Sequence, residues 1–222
     1  MENGLTLGVR LGLHAGWVAG GCFAIALAAL GGDHVGYLAA RHPLGHLGAI
    51  QARGATLWNV CGFLLPGLLL FIFALAFEAA MQRDGAGRGG RIGTGLLMLS
   101  ALAFAAQGLL GFDLEDADAV ASQRHVSALV LALLGLMAGA LLIAASLKSR
   151  RGWRVLVWVG APLAVLLLLF LVWPPQEFVP MLHGRPGHAQ RLIVATYFAW
   201  FALAAWTALR RVRGRVQTHP VA

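Results

Sequence analysis

Charge is what this sequence has least of. Asp, Glu, Lys and Arg make up 12% of its 222 residues, against 59% hydrophobic, whereas soluble domains carry roughly a quarter charged. A soluble globular fold is therefore excluded. Cysteine is nearly absent as well: Cys22 and Cys61 stand alone, each inside an apolar run, where two thiols read as packing residues and not as a disulfide framework. No internal repeat or low-complexity tail appears. The links between apolar runs are short, which leaves room for a single domain covering 1–222.

What is present is hydrocarbon. Six apolar stretches, 9–30, 56–80, 92–112, 125–147, 153–173 and 190–210, are long enough to cross about 30 Å as helices. The fold expected is an all-α transmembrane bundle of six helices. The first stretch has a single Arg10 in front of a run too long for a cleaved signal segment, so it reads as a helix.

Basic residues orient such a bundle, because Lys and Arg near helix ends are retained in the cytoplasm. Twelve of seventeen, Arg10, Arg83, Arg88, Arg91, Lys148, Arg150, Arg151, Arg154, Arg210, Arg211, Arg213 and Arg215, fall at one end, against only Glu2, Glu78 and Asp84. The other end holds five basic residues and six acidic ones. This places both termini in the cytoplasm of an inner-membrane, multi-pass protein. The pI of about 11.2 is then a topology signal and implies no nucleic acid, although the Arg210–Arg215 run suits anionic lipid. Trp58 and Trp173 are expected as outer belt residues, Trp153 and Trp158 as inner ones.

The outer loops are the longer ones: about 31–55, with a short amphipathic or re-entrant element expected around Pro43; the acidic Asp113–Asp118 segment; and Pro174–His188. Alternating helix direction gathers Asn59, Gln107, Asp113, His125, Gln190 and Arg191 into one layer at that end. Polar groups in hydrocarbon cost several kcal/mol unless paired, so this layer is expected to face inward. Asp113, at the membrane boundary, is placed to orient His125 as a general base, or to pin two helices by a structural hydrogen bond. Arg191, turned inward, suits a phosphate or carboxylate held bidentately; turned outward, it snorkels. Asn59, Gln107 and Gln190 complete a substrate-binding set.

Six of eight histidines also lie at this end. His42 and His46 are spaced i,i+4 but interrupted by Pro43 and Gly45, and His183 and His188 span a Pro-Gly loop, so they are weak candidates for zinc beside the plain reading of hydrated loop histidines. Haem is disfavoured, because His14 and His125, the two helical histidines, sit toward opposite faces. The acidic run reads as a solvated loop that also satisfies the topology rule, with a divalent cation as the sharper alternative.

Several of these residues stand in order as motifs: His42-Pro-Leu-Gly-His-Leu-Gly48, Leu57-Trp-Asn59, Gly62-Phe-Leu-Leu-Pro-Gly67, Gln107-Gly-Leu-Leu-Gly-Phe-Asp113, His125, Gly187-His-Ala-Gln-Arg191 and Trp200. In that order and spacing, across roughly 40–205, the chain resembles the membrane family catalogued as domain of unknown function 998, with Gly111 standing where a proline is expected. The resemblance implies a six-helix or closely related bundle and transfers no activity. Membrane hydrolases of the ceramidase and adiponectin-receptor group offer only an architectural analogy, since seven helices and a helix-borne His-x-x-x-His are lacking here.

Two functional readings follow. In one, a lipid-directed hydrolase or transferase uses His125 as base, Asp113 to orient it and Arg191 on a head-group phosphate, with Ser122 or Ser127 as nucleophile. In the other, a non-enzymatic bundle binds lipid, a second copy of itself or another membrane protein, and the polar layer serves packing. A transporter finds no repeat or broken-helix pair to support it.

Overall fold

The computed structural model describes residues 7–31, 36–116 and 118–217, with side chains through 212. Among the described residues six long helices follow one another: α1 (Leu7–Leu30), α2 (Ala55–Arg83), α3 (Gly87–Ala106), α4 (Val120–Leu147), α5 (Leu156–Val172) and α6 (Pro186–Gln217). Among the described residues the only extended pairing is an isolated bridge between Ala49 and Phe112. All of these helices except α5 are long and apolar enough to cross a membrane. At about 1.5 Å per residue, α5 falls a few ångströms short of about 30 Å.

Each helix packs on its chain neighbours, and α6 returns to α1 and α2, so the bundle closes as a ring. Small residues set how closely the backbones approach. Along α1, Gly12, Gly16 and Gly20 recur every fourth position, and a Cβ on them would lie 2.7 Å from Ala76, 2.7 Å from Phe73 and 3.3 Å from Phe198, respectively. This is the small-xxx-small contact that drives helix association where lipid supplies no hydrophobic contrast. Gly135 and Gly139 of α4 play the same part against Ser100 and Gly93 of α3. Ser100 Oγ closes that contact by donating to Ala132 O at 2.6 Å and sharing a hydrogen bond with Tyr197 Oη at 2.9 Å.

Two π segments, Asn59–Leu64 in α2 and Leu156–Gly160 in α5, each precede a proline, Pro66 and Pro162. Proline lacks the N–H for the carbonyl four residues back, and its ring pushes that carbonyl away, so the turn widens.

At the end that carries the longer loops, three boundaries differ from the sequence reading by four residues or more. α3 stops at Ala106, not 112, because Gly108 lies against Asn59 O, 2.4 Å from where its Cβ would be, and the chain turns away. α4 begins at Val120, so His125 sits in its second turn, and α6 begins at Pro186, a favoured first helical residue. Trp58 and Trp153 are not belt residues: both are fully buried, while Trp158 and Trp173 are exposed. Cys22 and Cys61 are both free.

At the end opposite the outer loops, Asp84 is buried. Its Oδ2 accepts from Trp153 Nε1 at 2.7 Å and from Arg211 Nε at 3.0 Å, tying the α2–α3 turn to the 3-10 turn Arg151–Trp153 before α5 and to the last turns of α6.

Candidate functional site

The outer end of the ring is stoppered by the first loop. Pro43 forces an extended entry into the 3-10 turn Leu44–Gly48, and Leu44, Leu47 and Ala49 are at most 1% exposed. The amphipathic element expected at the interface is thus driven inward as a plug.

Arg191 holds one side of this plug. Its Nη1 donates to Ala39 O at 2.7 Å, to Gly187 O at 2.8 Å and to His42 O at 3.4 Å, and its Nη2 donates to Tyr37 Oη. Gln190 Oε1 accepts from Leu44 N at 2.6 Å, and Gly187 N donates to Ala40 O at 2.9 Å. Gly187 leaves no room for a side chain: a Cβ there would sit 2.4 Å from Ala39 O and 2.6 Å from His42 O. Burial pushes the Tyr37 phenol up, against the lowering pull of Arg191.

Asn59 holds the opposite side. Its Nδ2 donates to Gly48 O at 3.0 Å, and a Cβ on Gly48 would lie 1.9 Å from its Oδ1, which is buried without a hydrogen-bond partner among the described residues. Ile50 N then donates to Phe112 O at 2.9 Å, linking the plug to the strand-like segment after α3. Gln107 is buried beneath, its amide donating to Phe104 O at 3.4 Å.

Asp113 and His125 do not pair. Asp113 Oδ1 accepts from Gln51 Nε2 at 2.7 Å and from the backbone N–H of Glu115 at 2.9 Å. These donors, the Glu115 amide foremost, hold its carboxyl below the usual range. Asp113 N donates to Ser122 Oγ at 3.0 Å. His125 Nδ1 lies 2.9 Å from Leu110 O, a pure acceptor, so Nδ1 carries the proton and Nε2 presents its lone pair toward Gly45. Its ring sits among Phe63 and Phe112. The shortened α3 explains the separation, since the turn after Ala106 feeds Leu110 O, and not the Asp113 carboxylate, to the imidazole.

The rings of His42 and His46 stack at 5.0 Å, and His42 Nδ1 accepts from Leu38 N at 3.0 Å. His183 is exposed and His188 half-buried. Among the described residues no three His, Cys, Asp or Glu side chains gather so as to hold a metal ion. The acidic loop turns on itself, with Asp116 Oδ1 accepting from Asp118 N at 2.9 Å.

The motif segments around His42–Gly48, Asn59, Gln107–Asp113 and Gly187–Arg191 are thus the parts of one closure. A model for the family described as "Protein of unknown function (DUF998)" matches residues 15–207. The chain belongs to the DUF998 family. No curated protein and no solved structure matches it. Within this DUF998 chain, sequence reasoning missed Tyr37 and Gln51, because lone loop residues carry no periodic signal. It also missed that Leu44 and Leu47 are core.

His46 gives the closure a pH dependence. Burial, and then the charge on His42, hold it below its ordinary 6.5. The folded pKa is depressed, so the neutral form is the one the plug accommodates. Its contribution is complete above 6.5 and is lost as pH falls through 6.5 toward the folded value. The Tm of the wild type should therefore fall further between pH 7.5 and pH 5 than that of His46→Gln; equal slopes would remove His46 as the cause.

Proposed function

We propose that this DUF998 protein crosses the inner membrane six times, with both termini cytoplasmic and the plugged end periplasmic. We further propose that it acts as a non-enzymatic bundle that binds membrane lipid or a protein partner. The orientation rests on the basic residues at the α2–α3 and α4–α5 links. The sixth span is α5 taken with the helical residues just before it, Arg151–Val155.

One observation carries the non-enzymatic reading: the Arg191 guanidinium is engaged by three backbone carbonyls and a phenol of its own chain. A cation so satisfied has little to offer a head-group phosphate. The separate partners of Asp113 and His125 agree with this, since the Asp/His pair on which a catalytic reading rests is not formed.

The test is lipid mass spectrometry on protein reconstituted in mixed zwitterionic and anionic vesicles. The expected result is no conversion of lipid above protein-free vesicles, and co-purified lipid retained by His125→Ala. Conversion by the wild type that is abolished in His125→Ala or Asp113→Asn would overturn the reading in favour of a hydrolase or transferase.

A further inference from the structure

The inner end of the α1–α6 pair carries a group of side chains that the fold does not use. On α1, Arg10, His14 and Trp17 follow i, i+4, i+7 and share a face; Arg10 is exposed and Trp17 is 52% exposed. On α6, Trp206 is 40% exposed and the Arg210 guanidinium lies over its ring, 3.9 Å from the centroid. Both sets begin beside the helix contact. Trp17 comes three residues before Gly20, which touches Phe198, and Trp206 follows Ala205, which meets Gly16.

These contacts also fix the heights. Gly16 opposes Ala205 and Gly20 opposes Phe198, so the helices run antiparallel. Arg10 then lies about 9 Å below the Gly16 level and Arg210 about 8 Å below the Ala205 level, at about 1.5 Å per residue. The Cα atoms of Arg10 and Arg210 therefore stand at nearly one depth. That depth is near the ends of the helices, where Arg83, Arg88, Arg150, Arg151 and Arg154 are also exposed. Trp17 follows Arg10 two turns deeper along α1, and the Trp206 ring lies directly beneath the Arg210 guanidinium.

Among the described residues, the ion pairs are Arg91–Glu78 and Arg211–Asp84, so neither Arg10 nor Arg210 has a carboxylate. His14 Nδ1 accepts from Trp17 Nε1 at 3.1 Å, which places the imidazole proton on Nε2, free to donate. Above Trp17 the same face continues as exposed Gly21, Ala24 and Ala28, and a Cβ on Gly21 would meet nothing within 4 Å. Two cations toward the helix ends, a donor and two indoles on the same flank, and then a shallow small-residue channel match one amphiphile from head to tail.

We propose that this flank binds one anionic phospholipid of the adjoining, cytoplasmic leaflet. Its phosphate lies between Arg10 and Arg210, its glycerol region against His14 and Trp17, and an acyl chain along Gly21–Ala28. The assignment names the lipid class for the lipid-binding reading above and rests on it, but it uses no residue of the outer closure.

The test is native mass spectrometry of the detergent-solubilised full chain, titrated with phosphatidylglycerol or phosphatidylcholine. One phosphatidylglycerol should be retained at least tenfold more tightly than phosphatidylcholine. Arg10→Gln and Arg210→Gln should each weaken it about fivefold, at roughly the effect of one basic residue near an anionic surface, and the double variant should erase the preference. Arg88→Gln should leave it intact, and millimolar inorganic phosphate should not displace the lipid. A preference unchanged in the double variant, lost equally in Arg88→Gln, or abolished by inorganic phosphate would overturn the assignment. Unfolding of the double variant is checked by its Tm. Failure of the non-enzymatic reading would appear instead as lipid conversion sensitive to His125→Ala.

Discussion

Replacing Arg191 by alanine should lower stability by about 2–4 kcal/mol, because it strips a charged donor from the carbonyls of Ala39, His42 and Gly187 at once. In a protein of this size that is a fall in Tm of roughly 5–15 °C. Arg191→Lys should recover only part of it, since a single ammonium cannot reproduce a planar fork that reaches loop and helix together. Gly187→Ala should fail in the same way for a steric reason, its Cβ meeting Ala39 O at 2.4 Å, backbone that has no rotamer to move to. A thermal-shift series in one detergent measures all three. A residue kept for binding phosphate would show the opposite pattern, with an unchanged Tm and lost ligand.

The second large effect lies at the other end. Asp84→Ala should cost about 2–3 kcal/mol, less than the 3–5 of a fully buried ion pair, because the Arg211 side chain is 40% exposed and regains water. What it cannot regain is an acceptor for Trp153 Nε1, an indole that is wholly buried. Asp84→Asn keeps that acceptor through its amide oxygen and should lose markedly less. Equal losses in the two variants would place the effect in the charge alone. Trp153→Phe should cost less in the Asp84→Ala background than in the wild type, since the two substitutions share one hydrogen bond while the loss of packing is common to both backgrounds.

Much of this was legible from composition and periodicity. The apolar runs marked every helix, because a span in lipid must satisfy its own backbone and shows as an uninterrupted stretch. The motif residues, too, were drawn to one end by alternating helix direction. What was not legible is how they engage each other. Asp113 and His125 bracket a loop in sequence, and nothing in their spacing tells whether α3 ends at Ala106 or at Phe112; that boundary decides whether the imidazole meets a carboxylate or Leu110 O. Arg191 was equally open, since turning inward to a ligand and turning inward to a loop leave the same mark on a sequence. Asp84, Trp153 and Arg211 lie far apart in the chain, and an ion pair between a turn and a terminal helix has no periodic signature. The plug was under-read for a related reason: Leu44 and Leu47 are two apolar residues among histidines and glycines, too short a pattern to outweigh their loop setting.

The central claim is that the outer end is shut by residues 37–50 and that Arg191 keeps it so. Hydrogen exchange on the protein in lipid nanodiscs tests this most directly, at the amides of Leu44, Ile50 and Gly187, each bonded across elements to Gln190, Phe112 and Ala40. In the wild type these amides should be protected to nearly the level of the helix cores, and in Arg191→Ala the protection of Leu44 and Gly187 should fall by an order of magnitude or more while the helices keep theirs. Exchange at Leu44–Ile50 as fast as in an open loop, or protection unchanged by Arg191→Ala, would contradict it.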